Sequence, residues 1–247
     1  MTDWHQRYQQ QAQWSQEIRD LLFSRIKNPS DAQILEVGSG TGALLEEIQS
    51  QHPFHLTGVD IDRSGLLFSQ HNLFQINFVQ ADGYRLPYPP HLFDATICHF
   101  LLLWLQNPQA MLHEMSRVTK RAGFVIALAE PDHEARIDYP PPLDDLGDLQ
   151  TKSLQKQGAD TQLGRKLGFL FEKAGLDVIE KGILGAHWKT DSATPQDETE
   201  WNVLHLDLKD RISQVELSRY KQIDRDALRI GSRVLFVPTF YAIGKIK

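Results

Sequence analysis

Three carboxylates and three glycines carry the chemistry that this sequence can be read to hold. Glu36 lies inside the apolar run QILEV, residues 33–37, and the run enters Gly38, Ser39, Gly40, Thr41 and Gly42, with Ala43 next. Asp60 ends a second apolar run, HLTGVD, 18 positions after Gly42, and Asp82 follows a third, NFVQA, with Gly83 beside it to relieve the turn. The glycine spacing can be read as G-x-G-x-x-A, the loose form of a dinucleotide-binding turn from strand to helix. Alone that pattern says only that something approaches the backbone closely. Either aspartate alone is more often a helix cap or a turn residue. Three carboxylates at the ends of three successive strands are a constellation.

Glu36 selects among ligands. A strand covered on both faces is continuously apolar, and an unpaired carboxylate there costs several kcal/mol or is neutralised. It calls for a cation. A nicotinamide dinucleotide would place its anionic pyrophosphate at this turn, whereas S-adenosyl-L-methionine brings an α-ammonium and a sulfonium. Asp60 is then placed to accept both ribose hydroxyls, and Asp82 to accept from an adenine amino group. An NAD-dependent oxidoreductase is the rival reading, and it leaves Glu36, Asp82 and the short glycine spacing unexplained. A cofactor-binding protein that has lost turnover and serves as a regulatory or scaffold subunit is the other.

The elements that must position these groups alternate from residue 33 onward. Expected strands are 33–37, 55–60, 77–80, 94–98 and 123–129. The helix before the last of these has Asn107 as cap, Pro108 in the first turn, Met111, Met115 and Val118 as its buried stripe, and Lys120 and Arg121 for its last turn. Alternation of this kind argues a parallel sheet covered on both faces. Residues 1–27 read as one helix, with Trp4 and Tyr8 at i, i+4 spacing and Trp14, Ile18, Leu21 and Leu22 continuing the stripe. Six glutamines between Gln6 and Gln16 read as its solvated face. Past Glu130 the rhythm breaks into the proline-rich DYPPPLDDLGDL. Then come a helix over 162–174, a strand near 176–184 and two charged helices between 189 and about 230. Their apolar positions are Trp201, Leu204 and Leu208, then Val215, Leu217, Tyr220 and Leu228. The terminal VLFVPTFYAIGKI is a strand that Pro238 restricts to a sheet edge or a bulge.

Composition narrows the class. The 247 residues amount to one decorated domain or two small ones, with 41% hydrophobic and 23% charged residues and a net charge of −6. That charge, without a basic run, disfavours nucleic acid as a partner. A single cysteine, Cys98, leaves neither a disulfide framework nor a thiolate metal site. No apolar stretch approaches the roughly 18 residues of a spanning helix, and the first residues lack the apolar core of a signal peptide. A cytoplasmic protein that does not insert into membranes is expected, its oligomeric state open.

LEVGSGTG, GVDID, VQADGYRLPYPPHLFDATICHFLLLWLQNP and RVTKRAGFVIALAEPD together resemble the class I S-adenosylmethionine-dependent methyltransferases. The likeness is to the type 11 small-molecule branch that includes the quinone C-methyltransferases, and it covers about residues 30–132. It implies an α/β, Rossmann-like seven-stranded sheet in order 3-2-1-4-5-7-6, with the last strand antiparallel and helices on both faces. It also implies that Ile61 lies against the adenine and that His99, Phe100 and Leu101 border the methionine end. Tyr8 and Trp14 belong to a helix that in the family often lies over the cofactor. Residues 1–30, 131–160 and 188–232 are expected to cap an acceptor pocket within a single domain. The acceptor is expected to be a small molecule: no NPPY tetrapeptide points to DNA bases and no cysteine cluster to arsenic or metals. Methyl transfer needs a general base only if the acceptor must lose a proton. His99, His133 and His187 are candidates by position, each with a bland alternative, and no catalytic residue is assigned.

Overall fold

The computed structural model describes residues 2–26, 29–184, 195–209 and 211–247. Five strands form in parallel from the expected runs: β1 (Gln33–Val37), β2 (His55–Asp60), β3 (Asn77–Gln80), β4 (Phe93–Cys98) and β5 (Thr119–Pro131). Beyond them lie β6 (Ile137–Tyr139), β7 (Asp177–Ile183), β8 (Val234–Phe236) and β9 (Thr239–Lys245). Among the described residues seven strands make one sheet in order β3-β2-β1-β4-β5-β9-β7, with β9 antiparallel to both neighbours. This is the order that the family resemblance implies. Strand order reverses between β1 and β4, and in open α/β sheets ligands bind outside the carboxyl ends at such a point.

The helices are α1 (Thr2–Trp14), α2 (Gln16–Phe23), α3 (Ala43–Gln51), α4 (Arg63–Asn72), α5 (Pro108–Val118), α6 (Pro142–Lys156), α7 (Leu163–Lys173), α8 (Pro195–Leu208) and α9 (Gln214–Arg229). One face of the sheet packs Leu35, Val37, Val125 and Ala127 against Met111, Met115, Leu167 and Phe171 of α5 and α7. The other packs Ile34, Ile97, Ile126 and Leu128 against Leu22, Leu44, Leu45 and Ile48 of α2 and α3. No helix of the described residues is long and apolar enough to cross a membrane.

Several expectations need correction. The N-terminal run is two helices, because the chain breaks at Ser15, whose hydroxyl donates to the carbonyl of Ala12 at 3.0 Å. Asn107 caps α5 through a 3.0 Å bond from the Ala110 amide, but α5 ends at Val118. Lys120 and Arg121 therefore open β5 rather than close a helix, and Lys120 pairs with Asp94 of β4 at 2.8 Å. The terminal run is two strands in two sheets. β8 pairs with β6 in a separate ribbon, the chain turns at Pro238, and β9 enters the main sheet as an interior strand. The proline thus sits at the joint, where its missing N–H interrupts no ladder.

α6, α8 and α9 share a core of Leu143, Leu146, Trp201, Leu204, Leu208 and Leu217, whereas Val215 is exposed. Beneath it lies a buried charge cluster. Asp138 of β6 receives Arg136 and, at 2.8 Å, Arg233. Arg233 also pairs with Asp224 of α9, which accepts the Trp201 indole N–H at 3.0 Å. Removing one member of such a buried set strands the opposite charge. Asp138→Ala should lower unfolding stability by about 3–5 kcal/mol, read by urea denaturation. A change within about 0.5 kcal/mol would show that the cluster is solvated in solution.

Candidate functional site

The turn after β1 is built on positive φ angles at Gly38 (+78°), Gly40 (+50°) and Gly42 (+75°), the region that glycine enters without steric cost. The amides of Gly38 and Ser39 donate to the Val59 carbonyl at 2.8 and 3.0 Å, which ties the turn to the end of β2. A Cβ on Gly38 would come within 2.7 Å of Leu101 Cδ1, and one on Gly42 within 2.7 Å of Phe78 Cζ. At those two positions the close neighbour is the protein's own side chain. Gly40 has more room, with Tyr8 of α1 at 3.7 Å.

Asp60 braces this turn. One of its carboxylate oxygens accepts from the Gly40 amide at 2.7 Å and the other from the Asp62 amide at 2.8 Å. Each oxygen keeps lone-pair capacity beyond one amide. Ile61, next to it, is 70% exposed at the carboxyl end of the sheet. Asp82 is exposed and caps the 3-10 turn Gly83–Arg85 by accepting from the Tyr84 amide at 2.9 Å. Gly83 is required by packing, since a Cβ there would meet Met111 Cε at 2.6 Å and Val37 Cγ1 at 2.9 Å.

Glu36 is 3% exposed, and its Oε2 has no hydrogen-bond partner. Burial pushes its carboxyl well above the usual carboxylate range, Asp60 adds to the rise, and the guanidinium of Arg19 opposes it. Arg19, on α2, is 1% exposed; it pairs with Glu47 of α3 at 2.7 Å and donates to the Ser15 hydroxyl at 2.7 Å. Ser39 Oγ is another buried polar atom without a partner.

His99 follows β4. Burial and then the nearby Arg19 charge drive its imidazole down to about 3, against a backbone hydrogen bond with Gln11 that raises it. Its Nε2 is buried and unpartnered. A neutral ring with a bare nitrogen accepts hydrogen bonds but is a weak proton sink. Phe100, at φ +52°, stands edge-on to Trp14 at 6.1 Å and to His99 at 4.9 Å. Tyr8 and Trp4 flank a cavity of about 290 Å³ with Gly40, Thr41, Asp62 and Gly65. His5 holds α1 down over the turn through Thr41 Oγ1 at 2.9 Å. His133 is pushed down to about 4 by burial and Arg136, and His187 lies outside the described residues.

The structure thus gathers Tyr8, Trp14, Glu36, the glycine turn, Asp60, Ile61 and 99–101 at one end of the sheet. Two functional-looking residues escaped the sequence reading. Arg19 lies three and four positions before Leu22 and Phe23, on the buried face of α2, where its charge hides it from a reading of apolar residues alone. Glu130 is the penultimate residue of β5 as Asp60 is the last of β2, so the same signal, a carboxylate closing an apolar run, was present for it.

Residues 35–127 match the family of type 11 methyltransferase domains. That stretch is over a third of the chain and holds Glu36, the glycine turn, Asp60, Asp82 and 99–101. It is similar to the ubiquinone/menaquinone biosynthesis C-methyltransferase UbiE of Coxiella burnetii, 30% identical over 118 residues. The match takes in 44% of this chain and 47% of that protein, so the chain spans about half of that relative's length. It is similar as well to the phosphatidylethanolamine N-methyltransferase of Cereibacter sphaeroides, 28% identical over 62% of this chain and 74% of that one. Among solved structures, a putative methyltransferase of Bacillus halodurans shares the fold. The TM-score is 0.62 at 14% identity, over 94% of this chain and 97% of the other.

The raised carboxyl of Glu36 has a consequence for the free protein. A carboxyl whose folded value lies above its unfolded value of 4.5 keeps its proton in the fold after the unfolded chain has lost it. Stability then falls as pH rises through that window. Glu36→Gln removes the dependence, so relative to the parent it should be more stable at pH 8 than at pH 5. Denaturation midpoints at the two pH values measure this. An equal difference at both would mean that Arg19 holds Glu36 ionised.

Proposed function

We propose that the protein is an S-adenosylmethionine-dependent methyltransferase acting on a small-molecule acceptor. One observation carries the reading: a buried carboxylate with an unpartnered oxygen beside a glycine turn at the switch point of the sheet. A cationic ligand group relieves its desolvation, whereas a pyrophosphate would be repelled. The donor set is suited to the cofactor. Asp60 and Asp82 offer anionic acceptors, Ile61 an exposed apolar surface, and Glu36 and the bare His99 nitrogen offer acceptors for an ammonium.

The bound cofactor supplies a methyl group on an already activated sulfonium leaving group. What the chain must add is alignment and exclusion of water, worth on the order of 7–11 kcal/mol when reacting groups are held in line. Tyr8 and Trp14 on α1, with Phe100, would cover the cofactor end of the crevice. α6, α8 and α9, with β6 and β8, would form the cap toward the acceptor. Small-molecule sites are concave and mostly apolar, and the apolar cluster shared by these helices suits such a cap. His99 and His133 are both weakly basic. This favours an acceptor that arrives nucleophilic, and we assign no general base. The relatives named above act at carbon and at nitrogen, and the acceptor atom here stays open between carbon, nitrogen and oxygen.

Calorimetry with S-adenosylmethionine and with NAD tests the reading; binding of NAD alone would overturn it. Asp60→Ala should weaken S-adenosylmethionine by about 10- to 150-fold, the loss of charge-assisted bonds of roughly 1.5–3 kcal/mol. Asp82→Ala should cost less, because the amino group it would face is neutral and can be rehydrated. A larger loss at Asp82 than at Asp60 would invert the assignment of the two carboxylates.

A further inference from the structure

Glu130 is fully buried, and its carboxylate gathers three consecutive backbone amides from the turn after β4. Leu101 and Leu102 donate to Oε1 at 3.1 and 2.9 Å, and Leu103 donates to Oε2 at 3.1 Å. Those amides begin the 3-10 turn Leu102–Trp104, and the first N–H groups of a helical turn have no partner within the turn itself. The strand is shaped for this contact. Opposite β9 the register passes from Ala127↔Ala242 to Glu130↔Phe240, three steps on β5 against two on β9. Such an extra residue re-aims the side chains that follow it. By simple alternation Glu130 would follow Ile126 and Leu128 to the face covered by α2 and α3. The bulge turns it to the face of Ala127 and Ala242, where Leu102 and Leu103 are packed.

The residues held by this carboxylate all lie on one half of the site. Phe100, kept at φ +52°, presents its ring to Trp14, and Leu101 lies over Gly38. Asp60, Ile61 and Asp82 stand at the ends of β2 and β3, on the far side of β1, and have no hydrogen bond to Glu130 or to the turn. We propose that Glu130 is a positioning residue for the amino-acid half of the ligand. It sets the shape of the turn 99–103 against which that half is seated, while the adenosine half is held independently by β2 and β3. The inference rests on the methyltransferase reading above.

Calorimetry on the full chain with two probes, S-adenosylhomocysteine and adenosine, separates the halves. Glu130→Gln keeps the volume but points an N–H₂ group at amides that need an acceptor. Its affinity for S-adenosylhomocysteine should fall by about tenfold or more, with adenosine affinity unchanged within about twofold. Equal losses for both probes would make Glu130 a general structural residue, and no loss for either would also overturn the proposal. If Glu130→Gln does not fold, Leu101→Ala leaves the three bonds in place and removes the side chain over Gly38. The same split between probes is expected, and its absence overturns the proposal. A parent chain that binds neither probe would refute the methyltransferase reading itself.

Discussion

The burial of Glu36 is the constraint on which the rest of the site depends. A carboxylate in an interior parallel strand, with Oε2 unpartnered, is a standing cost to the free protein. The fold offsets it only in part. Arg19 reaches in from α2, but its guanidinium is committed to Glu47, Ser15 and the Ala12 carbonyl. Burial first, and the same positive charge second, keep His99 neutral, while at Glu36 burial outweighs the pull of Arg19.

Around that centre the carboxyl ends of the strands are fixed by carboxylate-to-amide bonds. Asp60 holds the glycine turn from β2, and Glu130 holds the 99–103 turn from β5. Backbone amides in turns have no ladder partner, and a side-chain carboxylate on an adjoining strand is a rigid way to satisfy them. Rigid strands therefore position the loops, and the loops position what touches a ligand. The N-terminal helices close over this frame through polar contacts, His5 to Thr41 and Gln9 to Glu46 at 2.9 Å each, and the Arg19–Glu47 pair. Ala12, Leu22 and Phe23 of the same helices are buried in the sheet's core, so apolar packing anchors them as well.

The parallel half of the fold was legible because its signals are local. Runs of branched apolar residues, the glycine turn and the Asn107-Pro108 cap are each decided within a few positions, and strands β1 to β3 fall on their expected residues. Features set by distant partners were not. Lys120 and Arg121 look like a helix end until Asp94 is seen across the ladder from them. Pro238 looks like a flaw in one strand until the two halves are seen to join different sheets. Glu36, Asp60 and Asp82 stand out in the sequence by type and place; Glu130 carries the same mark of closing an apolar run, but its target depends on a bulge that only the partner strand reveals. Likewise Gly38 and Gly42 are set by positive φ in a local turn, but the crowding at 38, 42 and 83 comes from Leu101, Phe78 and Met111, none of them adjacent in sequence.

If the buried carboxyl of Glu36 is a socket for a cationic group, then binding must change its proton. Burial leaves it holding a proton at a pH where an ordinary carboxyl has lost one, and an incoming ammonium favours the ionised form. Titrating S-adenosylmethionine by calorimetry in buffers of different ionisation enthalpy counts the protons exchanged on binding. Between pH 5.5 and 8 the parent protein should release more protons than the Glu36→Gln variant, with the difference largest between the carboxyl's midpoints in the bound and in the free protein. Identical proton counts for the two proteins across that range, with both binding the cofactor, would contradict the assignment of Glu36 to the ligand.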